Sequence, residues 1–424
     1  MCKNLSFEEC ELTILRTSID KSEKIQGEKL LQDSETQKLI KTVEKFIKDK
    51  KCIVYGGTAI NNILPEDEQF YNYDYELPDY DFFSPDALSL AKELADIYHK
   101  QGFDEVEAKA GVHHGTYKVF VNRMGVADIT YLHKEIYDAM MPSTIQKKGI
   151  LYAPSNFLRQ SMYLELSRPM GDVSRWEKVL KRLNLLNKHY PLIYKKCELQ
   201  RHMSSRRDEP QLFSIVKNIF AKDGVVFIGG YANAIYTTYT RAPKLQNIPD
   251  FDVLSIHPED TVKKVYQKLK TAGYNVTTQE HEPIGELVSK HYSISVDDEY
   301  IAFVYTPSAC HSYNIVKDGG QSLKIGTIDT LLSYYLAFMY AKREYFDENR
   351  LICLCSVLFK VQQENRLSQK GVLKRFIVEC YGKQPTLQSM YEENNRLYKT
   401  LKPKSKVYEE RFLKYNPSKT RKKR

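Results

Sequence analysis

No stretch of the 424 residues is apolar for long enough to span a membrane, so no membrane partner is expected. The first residues hold acids where a secretory leader would hold its apolar core. Eight cysteines are scattered at 2, 10, 52, 197, 310, 353, 355 and 380, and none forms a C-x-x-C pair. That spacing offers no zinc framework and predicts reduced thiols, with Cys353 and Cys355 buried in an apolar run. Tryptophan is nearly missing, one residue against 31 tyrosines, so stacking surfaces must come from tyrosine. An excess of negative charge is also lacking. The net charge is +9, and +8 of it falls in residues 401–424, where ten Lys/Arg face only Glu409 and Glu410. This tail reads either as a solvated or targeting segment or as one that attracts nucleic acid through Lys419, Arg421, Lys422, Lys423 and Arg424. The length leaves room for two or three domains with their own cores.

What is present is concentrated in residues 53–83. A short apolar strand, Ile53-Val54-Tyr55, runs into Gly56-Gly57-Thr58 and then into a helix near Thr58–Leu64. Glycines there let the backbone approach a phosphate, and the helix start offers N–H groups to an anion. Asp79 and Asp81 then alternate along a predicted strand, which points both carboxylates to one face. Two carboxylates on one face repel unless a hard cation lies between them, and Mg²⁺ takes carboxylate and phosphate oxygens together. Asp128, in the strand-like run Val126–Tyr131, supplies a third acid. Asp74 and Glu76 read as solvated, and His113-His114 as a hairpin turn between glycines. Strand, Gly-Gly-Thr, helix, paired acids and a later acid, in this order, resemble the nucleotidyltransferase superfamily of DNA polymerase beta.

The pattern then recurs. Val226-Phe227-Ile228-Gly229-Gly230-Tyr231-Ala232 matches Ile53-Val54-Tyr55-Gly56-Gly57-Thr58-Ala59 at an offset of 173, and Pro249-Asp250-Phe251-Asp252 matches Pro78-Asp79-Tyr80-Asp81 at 171. A tandem duplication of one module follows. In the second copy Tyr231 replaces Thr58, and the place of the third acid falls near Phe303, so this copy is expected to be degenerate. The expected fold class is α+β, two DNA polymerase beta-like modules with mixed sheets flanked by helices. The expected boundaries are an N-terminal helical segment at 1–50, a nucleotidyltransferase domain at 51–194 and a linker at 195–212. The degenerate module follows at 213–345, then helices at 346–400 and the basic tail at 401–424. Ser84-Pro85 is expected to open the helix that runs to about Gln101.

With both copies in view, the chain resembles the poly(A) polymerase catalytic subunits of large cytoplasmic DNA viruses, over roughly residues 35–340. The residues that carry this are Val54–Ile60, Leu77–Ser84, Glu93–Asp96 with Gly102-Phe103, Val126–Tyr131, and Phe157 through Trp176. The resemblance implies an mRNA-processing transferase that adds AMP from ATP to the 3′ end of single-stranded RNA and releases pyrophosphate. It implies two Mg²⁺ or Mn²⁺ ions on Asp79, Asp81 and Asp128, and a triphosphate held by Gly56, Gly57 and Thr58. Arg175 and Lys178 either meet the triphosphate too or form the solvated face of an amphipathic helix. A homodimer, and a place in the virion and in viral factories of the host cytoplasm, are implied as well. Three other readings stay open, another nucleotidyltransferase (CCA-adding or acting on a small molecule), a non-catalytic RNA-binding protein and, weakest, a purely structural virion protein.

Overall fold

The computed structural model describes residues 2–192, 209–239, 251–365 and 368–421. They fall into two compact units, the first Met1–Leu132, Ser143–Ala153 and Tyr391–Arg424, the second His133–Pro142 and Pro154–Met390.

The first unit holds an eight-stranded sheet. Its strands are β1 (Ile53–Val54), β2 (Asp81–Ser84), β3 (Val106–Ala110), β4 (Thr116–Val121), β5 (Met124–Tyr131), β6 (Ile145–Lys147), β7 (Ile150–Tyr152) and β16 (Lys414–Tyr415), in the order β16-β3-β4-β5-β2-β1-β7-β6. One face is covered by two helices. Ser34–Lys50 is capped by Asp33, whose carboxylate accepts from Thr36 N at 2.8 Å, and buries Leu39, Val43, Phe46 and Ile47, a stripe at helical spacing. Phe46 meets Phe82 of β2, ring centres 6.4 Å apart. Ala87–Lys100 buries Ala91, Leu94, Ala95 and Tyr98, and the Tyr98 hydroxyl donates to Leu39 O at 2.8 Å. This helix starts later than the sequence suggests. Ser84 ends β2 instead, and its hydroxyl accepts from Asp86 N at 3.0 Å.

The second unit repeats the sheet with β8 (Val226–Phe227), β9 (Phe251–Leu254), β10 (Val276–His281), β11 (His291–Val296), β12 (Glu299–Tyr305), β13 (His311–Asp318), β14 (Gln321–Gly326) and β15 (Cys380–Tyr381). The order β10-β11-β12-β9-β8-β14-β13 reproduces β3-β4-β5-β2-β1-β7-β6, and the directions agree, β9 and β12 parallel as β2 and β5 are. The duplication read from two short motifs is therefore one of the whole sheet. Helix Ile328–Phe338, capped by Thr327, is buried along all eleven residues and packs on Ser155–Leu166. Arg159 is fully buried within that second helix, where its guanidinium donates to Asn187 Oδ1 at 2.7 Å, to Asn156 and to Tyr190 O.

Several readings of the sequence change. Residues 154–192 pack with the second unit, because the helix after β7 finds its apolar partner there. Residues 405–421 are not a loose tail. Helix Lys406–Phe412, β16 and helix Pro417–Arg421 fold onto the first sheet, with Leu413 buried and Lys414 opposite Lys109 of β3. Nor are the cysteines all reduced. Cys2 pairs with Cys10 and Cys310 with Cys380, the latter pair with Cα atoms 5.1 Å apart, while Cys52 and Cys355 are buried free thiols. Of the expected helices at 346–400, Glu348–Asn365 and Leu387–Thr400 form, and β15 lies between them. Most of the expected linker, 195–208, lies outside the described residues. No helix among the described residues is long and apolar enough to cross a membrane.

Candidate active site

The site is built on the strand face away from those two helices. β1 ends at Val54, and Tyr55 caps the helix Gly56–Ile63. Tyr55 N–H donates to Asp81 O at 2.9 Å, which lays the turn against β2. Glycine is required at position 56 twice over. Its φ is +73°, and a Cβ there would stand 2.8 Å from Asp81 Oδ2. Thr58 is buried and its hydroxyl donates to Asp79 O at 2.6 Å. Its side chain thus holds the first acid in place, while the backbone at Gly56 and Gly57 forms the start of the helix.

Asp81 of β2 lies directly opposite Asp128 of β5, and Asp128 N–H donates to Tyr80 O at 3.0 Å. Asp79 precedes the strand by two residues. Burial around its carboxyl, then the Asp128 charge, raise its pKa, and Lys118 pulls it back. Lys118 of β4 stands opposite Asp128 on the other side and ion-pairs with its Oδ2. Asp81, Asp128 and Lys118 therefore form one row across three strands. The next row is Phe83, Thr130 and Thr116. Here the Tyr55 ring stacks on Phe83 at 3.8 Å, and its hydroxyl meets Thr130 Oγ1 at 2.9 Å, which meets Thr116 Oγ1 at 3.0 Å. Burial first, then the charges of Asp81, Asp128 and Asp79, drive the Tyr55 phenol well above its ordinary pKa, so it stays protonated.

Sequence reasoning missed Lys118. The two-residue turn Asn122-Arg123, both with positive φ, starts the β4–β5 hairpin with Val121 opposite Met124. A bulge after Val119 then shifts the register by one residue. Without it Lys118 would oppose Ala127 and point to the other face. Among the described residues no three His, Cys, Asp or Glu side chains form a ready-made metal cage. The donor set nevertheless suits a hard cation, since it is carboxylate oxygen on one face and already attracts a positive charge, the Lys118 ammonium.

The second module is built alike and sealed. Its glycine turn is buried, where the first is half-open. The Tyr335 hydroxyl donates to Ile228 O at 2.6 Å and lies 3.0 Å from Gly229 O. Arg350 Nη2 lies 3.2 Å from where a Cβ on Gly230 would be. Tyr231 packs on Phe227 and Phe251 and donates to Asp318 at 2.5 Å. Asp252 is buried opposite Phe303, which holds the place of the third acid. Asp250 lies outside the described residues.

Arg175 and Lys178 belong to the second unit, both exposed, Arg175 beside Glu165 at 3.2 Å. His113-His114 form the β3–β4 turn. Lys419 is exposed on the helix Pro417–Arg421, whereas Lys422, Lys423 and Arg424 lie outside the described residues.

Comparison with known proteins follows this geometry. Over 356 residues, 74% of this chain, it is 24% identical to a protein of Acanthamoeba polyphaga mimivirus named "Putative poly(A) polymerase catalytic subunit". Over 164 residues, 37% of this chain, it is 34% identical to an African swine fever virus protein of the same name. These alignments span 60% and 34% of the two relatives' lengths. In fold the chain is similar to the crystal structure of the Megavirus polyadenylate synthase, with a TM-score of 0.84 at 23% identity, covering 99% of this chain and 88% of that one. Residues 41–172, the segment that carries the glycine turn, all three acids and Lys118, match the family model of the poly(A) polymerase catalytic subunit.

Proposed function

We propose that the chain is a polynucleotide adenylyltransferase that extends RNA 3′ ends with AMP from ATP. The observation that carries this is the in-register pair Asp81–Asp128, with Asp79 alongside and the Gly56-Gly57 helix start packed against it, inside the segment that matches the family. Asp79, Asp81 and Asp128 would hold two Mg²⁺ or Mn²⁺ ions. When bound, these would lower the pKa of the RNA 3′-hydroxyl and neutralise charge on the departing pyrophosphate.

The protein's own part is positioning. The N–H groups at Gly56 and Gly57, at the positive end of the helix Gly56–Ile63, would receive the triphosphate. Thr58 fixes Asp79 through its backbone. Tyr55, held between Phe83 and Thr130, stiffens the turn and donates no proton to the reaction. Asp128, a carboxylate at the row's centre, would orient the attacking hydroxyl. Little covalent chemistry falls to protein groups in phosphoryl transfer, so alignment and charge supply the rate. The second module would take no part in chemistry, since Phe303 takes the third acid's place and the turn is sealed. Arg175 and Lys178 as further triphosphate contacts, RNA binding by the basic C-terminal residues, a homodimer and work in viral factories of the host cytoplasm belong to the same proposal. The viral origin of the named relatives is what supports a setting in an infected host.

The test is incubation of the purified protein with a 3′-hydroxyl RNA, Mg²⁺ or Mn²⁺, and each NTP in turn. Extension with ATP and stoichiometric pyrophosphate is expected, and none with Asp128→Asn. Absence of pyrophosphate with every NTP and every acceptor would favour a binding protein instead.

A further inference from the structure

We propose that Lys118 is a built-in counter-ion for the carboxylate face. It pairs with Asp128 in the metal-free chain and must release it for a divalent cation to bind, so that it sets how tightly the cation is held. The inference rests on reading Asp79, Asp81 and Asp128 as the cation-binding set.

Three observations carry it. First, the ammonium sits where a cation would be attracted. Lys118 closes the row Asp81–Asp128–Lys118 and ion-pairs with Asp128, the central member. Second, the pair is open enough to exchange. The Lys118 and Asp128 side chains keep 42% and 25% of their surface exposed. A lysine on a flexible four-carbon stem can swing away without unpacking the sheet. A buried guanidinium with several fixed acceptors, as at Arg159, could not. Third, the duplication supplies an internal control. In the second sheet the same row reads Asp252, Phe303, Ser293. The lysine and the third acid are absent together from the copy whose site is sealed, and present together in the copy whose site is open. A lysine kept only for sheet stability would have no reason to follow the acid.

The physical consequence is competition. Three carboxylates crowd this face, and Lys118 offsets part of their repulsion before any cation is bound. A divalent ion offsets more, but it must first take Asp128 from the ammonium. Removing the ammonium should therefore leave the metal-free chain less stable and the cation more tightly bound.

The experiment is Mn²⁺ titration of the full chain, without nucleotide or RNA, followed by electron paramagnetic resonance of free Mn²⁺ and by thermal melting. Lys118→Met should bind Mn²⁺ more tightly, by up to about fivefold, the worth of a partly exposed ion pair. It should also melt lower than the parent chain without metal and gain more on Mn²⁺ addition. Lys118→Arg, which keeps the charge, should stay close to the parent in both. Lys118→Gln serves as a second neutral variant should the methionine variant fold poorly. Mn²⁺ affinity unchanged or weakened in both neutral variants, while Asp128→Asn abolishes binding, would overturn the counter-ion role and leave the acid assignment standing. Mn²⁺ binding untouched by Asp128→Asn would overturn the acid assignment and the counter-ion role with it.

Discussion

Asp252 lies directly opposite Phe303 on parallel neighbouring strands, in the register that sets Asp81 opposite Asp128 in the first module. One fold, used twice, thus presents a carboxylate pair in one copy and a carboxylate against a buried ring in the other. That difference separates what each copy can offer a cation.

The three acids of the open copy should each be indispensable. Asp79→Asn, Asp81→Asn and Asp128→Asn are expected to lower AMP addition by at least about a thousandfold, as loss of preorganised charge stabilisation does. Single-nucleotide addition to a saturating primer, with the folded fraction checked by melting, is the measurement. Near-parent turnover in any one variant removes that residue from the set.

Loss of Asp252 should behave differently. Asp252→Asn, alone or with Asp250→Asn, should leave turnover per folded molecule within about twofold. A cost in stability is expected, since a buried carboxylate that loses its partners leaves them unsatisfied, on the order of 1–3 kcal/mol. Denaturant unfolding reads the second effect and primer extension the first. A well-folded double variant without turnover would give the second module a chemical role.

Gly56→Ala should be severe for a side chain of one carbon. The left-handed backbone costs about 1–2 kcal/mol for any residue with a Cβ, and the new methyl would press on Asp81 Oδ2. Activity should fall at least about a hundredfold with the melting temperature only modestly lower. Unaltered activity would show that the turn does not hold the acid row in place.

The pH dependence of the metal-free chain follows from Asp79. Its folded pKa is raised, by burial first and by Asp128 next. Its contribution favours folding below the unfolded carboxylate pKa and is lost as pH rises through the raised folded value. Asp79→Asn should therefore melt higher than the parent at neutral pH without metal, by on the order of 1–3 °C. The gap should close on acidification below about pH 4, the unfolded range. An equal gap at every pH would assign the effect to packing.

The C-terminal residues should prove structural as well as basic. The Tyr117 hydroxyl donates to Glu410 O at 3.1 Å, the Tyr415 hydroxyl to Asp96 at 2.9 Å, and Lys92 pairs with Glu409 at 2.5 Å. Deleting 401–424 should lower the melting temperature by several degrees, on the order of 5 °C, through exposure of the β3 edge. Charge alone is tested by Lys419→Glu, which should spare the fold and reduce the salt dependence of RNA binding by about one counter-ion. An unchanged slope would return Lys419 to the solvated surface.

Much of this was legible in the chain because it is local. A glycine pair after an apolar strand, acids at alternate positions, and the same two motifs repeated 173 and 171 residues later need no long-range knowledge. They were enough to read the α+β class and the duplication, to name Asp79, Asp81 and Asp128 as candidates, and to place Phe303 where the first copy has its third acid.

What the tertiary structure alone decided depends on contacts between distant segments. The bulge after Val119 turns Lys118 to the acid face, and a one-residue shift in register moves a side chain to the opposite side of a sheet. β16 closes the first sheet from the far end of the chain, where the β3 edge offers backbone groups for a strand to pair with. The helix Ser155–Leu166 joins the second unit, where its buried face meets Ile328–Phe338 across more than 150 residues of sequence. Cys310 and Cys380 meet for the same reason, brought together by the pairing of β13 with β15. Sequence by itself set which residues could do chemistry. Strand register and packing decided which of them share a face, since side-chain direction in a sheet is fixed by pairing partners that no local pattern names.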